Sequence, residues 1–498
     1  MFHFAKIIPY IFVDKDNNKK YKQLRGKYDF FIYRGFSITD TQTSIMVVYH
    51  FNLADRYEFF PTLKIRKKNF VNDKLAFSDI ENFVFHIGLI ELISYWKAAC
   101  PPRIIVKPFK LNEKQIDWWK KLYFNGLGEF FYLNGIKNTI ENFVEIISDS
   151  EKEIGFTKCD FENNKVLVPV GGGKDSIVTL ELLKNKYNVI PFILNPRQAS
   201  LETIKVAGFQ TDEFLEIIRT IDPQLLVLNN MGFLNGHTPF SALLAFVSVF
   251  SSALTASRHI ALSNEASANE PTEKKSGVNH QYSKSFEFEK DFREYVSEFI
   301  SQDINYFSFL RPLSEYNIAA LFSTFPKYFN VFKSCNVGSK KNIWCGKCPK
   351  CLFTYIILSP FIRNERLVNI FGKDLYRDKE QLTHFNELTG ISEVKPFECV
   401  GTVYEVNIAI IQAIEKHQGQ LPYLLEYYRT LLTSNQQPAT GNQQPATGNR
   451  QPATSNQQPA TRNQKEETIL MFEDNHFLTK DFLNILKSYE CVIIKMAK

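Results

Sequence analysis

Six residues near the middle of the chain, Gly171-Gly172-Gly173-Lys174-Asp175-Ser176, have the types and order needed to hold phosphate groups. Glycines let the backbone approach a ligand with its amide groups turned inward, and a helix that starts directly after them adds partial positive charge. Lys174 can neutralise phosphate charge, Ser176 can donate a hydrogen bond, and Asp175 can hold Mg²⁺. The run therefore predicts a nucleotide phosphate site, with an ordinary glycine-rich turn as the alternative.

Two common phosphate-binding loops do not fit this run. A Walker A loop needs Ser or Thr directly after its Gly-Lys, where Asp175 stands, and a dinucleotide fingerprint needs a glycine in place of Ser176. The run instead resembles the Ser-Gly-Gly-x-Asp-Ser loop (PP-loop) of ATP pyrophosphatases, which release pyrophosphate and leave AMP on a substrate oxygen. Gly171 replaces the first serine of that loop, which removes one phosphate hydrogen bond. The resemblance implies an enzyme that uses ATP and Mg²⁺ to adenylate a carboxylate.

A second cluster consists of cysteines. Cys345, Cys348 and Cys351 are separated by two residues each, and Cys335 lies ten positions upstream of the first. Four thiolates suffice for a closed tetrahedral zinc site, and soft thiolates select zinc. An iron–sulfur cluster and unliganded thiols remain alternatives. We expect structural Zn²⁺ at these four residues. The remaining cysteines are scattered along the chain, and we expect them to be buried, reduced residues that only fill space in the core.

The segments around the glycine-rich run alternate between apolar strands and helices. From 158 to 425 this pattern predicts a parallel sheet covered by helices on both faces, an α/β domain of the ATP pyrophosphatase type that includes the cysteine cluster. In such sheets ligands lie beyond the carboxyl ends of the strands. Residues 1–150 are rich in aromatic and β-branched runs and are predicted to form a mixed α+β domain.

The local pattern assigns individual elements of the second domain. In chain order, they are a strand over 165–170, a helix over 175–184, a strand over 189–194, a helix over 211–220, a strand over 225–228, a helix over 240–256 and a strand over 260–262. The uncharged stretch 231–257 is punctuated by serines and is predicted to be a buried helix, not a membrane span.

Near the end of the chain, residues 434–464 contain four tandem heptads, the first of which is Asn-Gln-Gln-Pro-Ala-Thr-Gly. Proline recurs in every repeat and apolar a/d pairs are missing, which excludes a coiled coil. This composition predicts a disordered insertion, followed by an ordinary C-terminal segment at 465–498.

The overall composition and charge indicate which classes of partner the chain is expected to have. The chain has 498 residues, 44% of them hydrophobic and 22% charged, with a formal net charge of +6. Several domains are expected at this length, and so mild a charge does not indicate nucleic acid as a partner. The N-terminal residues lack a signal-peptide pattern, so a cytoplasmic enzyme without membrane partners is predicted. The oligomeric state stays open.

Longer strings carry a more specific resemblance. They are Ser94-Tyr-Trp-Lys-Ala-Ala-Cys-Pro-Pro102, Leu122-Tyr-Phe-Asn-Gly-Leu-Gly-Glu-Phe130, Asn235-Gly-His237, Ser263-Asn-Glu265, Val278-Asn-His-Gln-Tyr-Ser-Lys284, Arg311-Pro-Leu-Ser-Glu315 and Lys395-Pro-Phe-Glu-Cys-Val-Gly401. Over residues 80–405 these strings resemble, in order, the UDP-N-acetylmuramoyl-L-alanyl-L-glutamate epimerase (MurL) family. The sequence departs from the family string at Ala266, where a basic residue is expected, and in the heptad insertion.

The resemblance implies an isomerase of peptidoglycan precursor synthesis. Members convert the terminal L-Glu of a UDP-linked muramoyl dipeptide to D-Glu and cleave ATP to AMP and pyrophosphate. Adenylation would remove the carboxylate charge that otherwise opposes loss of the α-proton. On this basis His237, His280 and Lys284 are candidates for proton transfer, with Cys399 as an outside candidate. Asn264 and Glu265 are expected to bind adenylate, ribose or metal.

Three other functions share parts of this pattern. An amide- or nitrile-forming ligase would use the same loop and zinc site, but would add ammonia to the adenylate. A nucleotide sensor would bind ATP without releasing pyrophosphate. A thiol-transferring tRNA enzyme is disfavoured, because the chain lacks a basic and aromatic surface run.

Overall fold

A computed structural model describes residues 17–68, 71, 75–272, 277–392, 394–434 and 472–497. Within these residues the chain has an α/β fold, as predicted. The predicted disordered insertion lies outside the described residues from 435 onward, as does the beginning of the C-terminal segment.

Up to residue 150, most strands belong to antiparallel pairs. The elements are α1 (Asn18–Lys27), β1 (Phe30–Asp40), β2 (Ser44–Leu53), β3 (Tyr57–Phe59), β4 (Thr62–Arg66), α2 (Phe77–Trp96), β5 (Arg103–Val106), α3 (Glu113–Gly126), α4 (Gly128–Leu133) and β6 (Glu145–Ser148). β2 pairs antiparallel with β1, β3 and β4, whereas β5 runs parallel to both β1 and β6.

The following segment alternates between strands and helices. Its elements are β7 (Glu162–Pro169), α5 (Lys174–Leu183), β8 (Asn188–Leu194), α6 (Gln198–Ala207), β9 (Leu215–Thr220), α7 (Pro223–Asn230), α8 (Phe240–Leu254), β10 (Ser257–Leu262), α9 (Phe286–Phe299) and β11 (Asn305–Ser308). β7 and β10 are parallel, with Val166 opposite His259.

The described remainder is helical. It contains α10 (Glu315–Ser323), α11 (Pro349–Leu358), α12 (Asn364–Phe371), α13 (Leu382–Thr389), α14 (Val403–Lys416), α15 (Tyr423–Ser434), α16 (Lys480–Ser488) and α17 (Glu490–Ala497). Cys351 lies in α11, Cys348 is the N-cap of that helix, and Glu315 begins α10.

The chain divides into two compact units, and neither is continuous in sequence. The first unit comprises Met1–Leu167, Leu215–Ile260 and Lys274–Tyr306, and the second comprises Val168–Phe214, Ala261–Glu273 and Phe307–Lys498. This division differs from the contiguous domains 1–150 and 158–425 expected from composition, because the chain leaves the first unit and returns to it twice.

Two predicted elements of the first unit are wrong. The segment predicted as a helix over 211–220 contains β9, which pairs antiparallel with β4 and alternates buried and less buried side chains. The segment predicted as a strand over 225–228 belongs to α7, which has Pro223 in its first turn and Asp222 as its N-cap. The Asp222 side chain accepts a hydrogen bond from the Gln224 amide at 2.7 Å, a strong local signal for a helix start.

The core of the first unit forms around α2 and α8, whose side chains are almost all buried. Phe83 and Phe250 stack across this contact with ring centroids 5.4 Å apart. The prediction that the uncharged stretch forms a buried helix is confirmed. Among the described residues, every helix is too short or too polar to cross a membrane.

Candidate functional site

The glycine-rich run lies in the second unit, between β7 and α5. Gly172 has a φ of +86°, and a Cβ at this position would be 2.8 Å from the carbonyl carbon of Ala199, so a larger residue would be strained in both conformation and space. Gly173 is the N-cap of α5, and the Ser176 hydroxyl donates a hydrogen bond of 3.0 Å to its carbonyl oxygen. The predicted helix start directly after the glycines is confirmed.

Lys174 occupies the first position of α5 and is almost fully buried. Its Nζ donates to the carboxylates of Asp175 and Glu315, and only 4% of the Lys174 side chain and 1% of the Glu315 side chain are exposed. Burial alone would lower the pKa of Lys174, but the two carboxylates raise it above its usual value. The lysine is therefore charged at neutral pH, as binding of a polyphosphate requires.

Glu315 is a residue that the sequence pattern did not single out. It begins α10, and its backbone amide donates to a carboxylate oxygen of Glu405 at 2.6 Å. Burial, together with the charges of Asp175 and Glu265, raises the pKa of Glu315 to about 8 against the lowering effect of Lys174. Two carboxylates, those of Asp175 and Glu315, thus contact the buried lysine.

Asn264 and Glu265 follow the carboxyl end of β10, where ligand-binding residues of α/β sheets are expected. The Asn264 amide donates to the Ser308 hydroxyl at 3.0 Å, and the Glu265 carbonyl accepts from Arg311 at 2.7 Å. The Glu265 carboxylate raises the pKa of Glu315, so Glu265 interacts electrostatically with the carboxylate that pairs with Lys174. Asp175 and Glu265 offer the oxygen ligands that Mg²⁺ prefers. The predicted binding roles of Asn264 and Glu265 stay predictions.

The four predicted zinc ligands converge in the second unit. The Sγ atoms of Cys335 and Cys348 are 3.8 Å apart, those of Cys345 and Cys351 are 3.6 Å apart, and those of Cys348 and Cys351 are 3.5 Å apart. Thiolates around a tetrahedral zinc, with Zn–S bonds of about 2.3 Å, would be about 3.8 Å from one another. The donor set and its spacing therefore fit zinc, which would be held by all four residues.

The cysteine cluster also supports the phosphate loop. The backbone amide of Lys333, two residues before Cys335, donates to the Gly172 carbonyl at 2.9 Å. A Cβ built on Gly173 would be 3.3 Å from the Cβ of Ser334. A metal ion bound by Cys335 would therefore also hold the adjacent segment, Lys333 and Ser334, which packs against Gly172 and Gly173.

Replacement of Cys348 by serine is expected to remove most bound zinc, lower the unfolding temperature and weaken ATP-dependent turnover, because the support of the loop is lost. Elemental analysis should find about one zinc per chain in the parent protein. Cys491→Ser is the control, since Cys491 is exposed and distant in sequence from the cluster. A zinc-free protein with full activity and unchanged melting would contradict the assignment.

The predicted histidines meet in the first unit, together with a glutamate that the sequence pattern did not single out. His237 Nδ1 is 3.2 Å and His280 Nδ1 is 2.5 Å from the same oxygen, Glu129 Oε2. The two imidazole ring centroids are 4.8 Å apart. The side chain of His237 is 26% exposed and those of His280 and Glu129 are 11% exposed. In this triad of Glu129, His237 and His280, His237 is therefore the residue most accessible to solvent.

Neighbouring segments hold this triad in place. Lys97 Nζ donates to the Gly236 carbonyl at 2.5 Å, and the Asn134 amide donates to the Asn235 carbonyl at 3.3 Å. Gly126 allows Pro239 to approach closely, because a Cβ at Gly126 would be 2.8 Å from the proline ring. The loop before α8 is therefore fixed against α3 and α4, which brings His237 to Glu129.

The electrostatic environment favours a neutral His237. The pKa of His237 is lowered to about 4, chiefly by burial; His280 and Lys97 also lower the pKa, and Glu129 raises it. Burial also lowers the pKa of Lys97 to about 8. A neutral imidazole next to a carboxylate can accept a proton, which is the property required of a general base.

The third predicted proton-transfer residue, Lys284, ends the short 3₁₀ turn Tyr282–Lys284 that follows His280. Its role stays a prediction. Cys399 lies in the second unit, where its carbonyl oxygen accepts a hydrogen bond from Lys350. Glu129 could have been recognised only from its place in the family-like string Leu122–Phe130, because a lone glutamate after Gly-Leu-Gly has no signature of its own.

Comparison with known proteins gives consistent matches. The MurL N-terminal domain matches residues 22–309, and the MurL C-terminal domain matches residues 331–443. The chain is similar to a protein of Micromonospora sp. named UDP-N-acetyl-alpha-D-muramoyl-L-alanyl-L-glutamate epimerase, with 37% identity over 333 residues, 66% of this chain and 73% of the relative.

Two further relatives carry the same name. The protein of Salinispora tropica is 37% identical over 332 residues, 65% of this chain and 71% of its own length. The protein of Xanthomonas oryzae pv. oryzae is 32% identical over 383 residues, 74% of this chain and 83% of its own length. No solved structure matches the chain. The resemblance seen in the sequence is thus confirmed, and the chain belongs to the MurL family of epimerases, within the isomerase class of enzymes.

Proposed function

We propose that the protein inverts the terminal L-Glu of UDP-N-acetylmuramoyl-L-Ala-L-Glu to D-Glu, with cleavage of ATP to AMP and pyrophosphate, in peptidoglycan precursor synthesis. Family membership and the name of the relatives support the substrate. The observation that carries the ATP requirement is the charged, buried Lys174 at the start of α5, directly after three glycines. This arrangement suits a triphosphate better than it suits an ordinary turn.

The first step is adenylation of the carboxylate attached to the carbon that inverts. A carboxylate oxygen attacks the α-phosphorus of ATP, the bond to the bridging oxygen breaks, and pyrophosphate leaves. Lys174 and the loop amides at Gly171–Gly173 stabilise the charge that develops on the phosphates. Mg²⁺ held by Asp175, with Glu265 nearby, would supply further charge compensation.

Adenylation makes the neighbouring carbon acidic. It removes the negative charge of the carboxylate, beside which an enolate would otherwise have to form. Each unit by which the pKa of the α-proton falls reduces the cost of its removal by about 1.4 kcal/mol. A base among His237, His280 and Lys284 then takes the proton, and an acid returns one on the opposite face. Hydrolysis of the acyl-adenylate by water releases AMP and the product.

The test is an incubation of the protein with ATP, Mg²⁺ and the UDP-linked dipeptide in D₂O without ammonia. We expect D-Glu with one deuterium at Cα, together with AMP and pyrophosphate, because the proton removed exchanges with solvent. Mass spectrometry and chiral analysis of the released glutamate measure both changes. Formation of ADP, or inversion at the same rate without nucleotide, would contradict the proposal. An amide formed only when ammonia is added would instead indicate a ligase.

A further inference from the structure

One carboxylate oxygen in the first unit serves two imidazoles. Glu129 Oε2 lies 2.5 Å from His280 Nδ1 and 3.2 Å from His237 Nδ1. His280 Nδ1 forms a hydrogen bond to this oxygen, whereas His237 Nδ1 lies at ion-pair distance from it. A carboxylate oxygen attracts an N–H group and repels a ring lone pair, so both Nδ1 atoms carry hydrogen when Glu129 is ionised.

The same three residues could be considered as metal ligands, since their donor atoms lie within 4.8 Å of one another. Donors around a tetrahedral zinc, at about 2.0 Å from the ion, are about 3.3 Å apart. The separation of 2.5 Å between Glu129 and His280 is shorter than that, whereas the cysteine sulfurs, at 3.5 to 3.8 Å, have the spacing of zinc ligands. The separation between Glu129 and His280 thus favours a hydrogen bond over a shared ion at this pair.

The position of the Glu129 carboxylate next to both Nδ1 atoms determines the tautomers. When a neutral imidazole donates through Nδ1, its lone pair is on Nε2, on the opposite side of the ring. When it is protonated, both nitrogens carry hydrogen, and the nearby carboxylate stabilises the positive charge. The single negative charge of Glu129 can balance one imidazolium, but not two.

We propose that Glu129 is a positioning residue that fixes His237 and His280 in the Nδ1–H tautomer and stabilises one imidazolium, so that the pair consists of one base and one acid. This inference deepens the proposed function and rests on it. In the forward direction the Nε2 of one histidine takes the Cα proton, and the electron pair of the C–H bond passes to the enolate. The Nε2–H of the other histidine protonates the enolate from the opposite face.

After this exchange the two histidines have swapped protonation states. The pair is then ready for the reverse reaction, and proton exchange with solvent restores the forward state. Lys97, which follows α2, is the other charged group that acts on His237. Its positive charge opposes a second imidazolium, in agreement with a pair that carries one positive charge.

The test uses full-length Glu129→Gln, which keeps the shape of the side chain but loses its charge. We expect ATP-dependent pyrophosphate release to persist, whereas deuterium incorporation at Cα falls about 10²-fold from both the L-Glu and the D-Glu dipeptide. The pH profile of incorporation should also shift, because the imidazolium loses its counter-charge. Glu129→Asp, which keeps the charge, should recover part of the rate, and Glu151→Gln, whose side chain is 95% exposed, should behave like the parent.

¹⁵N NMR of histidine-labelled protein provides a readout that needs no substrate. The parent should show two histidines with hydrogen on Nδ1 and lone pairs on Nε2, and Glu129→Gln should change both signals. Unchanged incorporation or unchanged tautomers in a folded Glu129→Gln protein would overturn the inference. Loss of a metal equivalent beyond that of the cysteine cluster would overturn it as well. If the parent incorporates no deuterium with ATP, the proposed function fails, while the tautomer measurement still decides the role of Glu129.

Discussion

Replacement of Lys174 by methionine is expected to reduce pyrophosphate release about 10³-fold, because methionine fills the same space without the charge that stabilises the leaving phosphates. The lysine is buried at the start of α5 and paired with Asp175 and Glu315. The measurement is release of pyrophosphate and AMP with the UDP-linked dipeptide at saturating ATP.

The fold is expected to survive this change. Without Lys174, burial and the charge of Asp175 raise the pKa of Glu315 further, so that Glu315 takes up a proton and its desolvation is relieved. Circular dichroism and zinc content should therefore match those of the parent. Lys186→Met is the matched control, since Lys186 follows the same helix and is exposed. Near-normal turnover in Lys174→Met would show that the glycine-rich loop takes no part in the reaction.

The glycine-rich run and the cysteine cluster could both be recognised in the sequence, because their residues lie close together in the chain. Glycines followed by Lys174 at a helix start, and cysteines at regular gaps, are patterns in which neighbours in the chain are also neighbours in space. The structure places the sulfurs of Cys335, Cys345, Cys348 and Cys351 together, with 3.5 to 3.8 Å between neighbouring Sγ atoms. Burial of an apolar helix over Phe240–Leu254 follows from composition in the same way.

Contacts between residues that are distant in the chain could not be predicted in this way. Glu129 meets His280 across 151 positions, and Lys174 meets Glu315 across 141. Each glutamate is unremarkable in its own segment and becomes a candidate only when the fold supplies its partner. The family-like strings contain both residues, but they carry no information about which side chains face one another.

The two misassigned elements show a different limit. Leu215–Thr220 is half apolar, and its strand conformation depends on pairing with β4, far away in sequence. Leu225–Leu228 was predicted as a strand from a short apolar run, which cannot be distinguished from a helix by periodicity alone. In that case the N-cap Asp222 and the following Pro223 are the better indicators, because they act on the helix start directly.

Removal of the histidines is expected to separate the two directions of the reaction. In a two-base inversion, each imidazole removes the proton of one epimer only. His237→Asn and His280→Asn should therefore each lose deuterium incorporation from one epimer by about 10²- to 10⁴-fold, and from opposite epimers. Incorporation from the other epimer should continue without inversion, because the remaining base can return deuterium to the face from which it took the proton. Mass spectrometry of both dipeptides measures this.

Pyrophosphate release distinguishes this outcome from general damage. The proposed adenylation uses Lys174 and the glycine-rich run, and the histidines are assigned to the later proton transfer, so both histidine variants should still release pyrophosphate. His417→Asn, in which a partly exposed histidine outside the triad is replaced, should leave every measurement unchanged. Equal loss of incorporation from both epimers in either variant would show that the two histidines are not opposed bases. In that case Lys284, four residues after His280, would be the next group to replace.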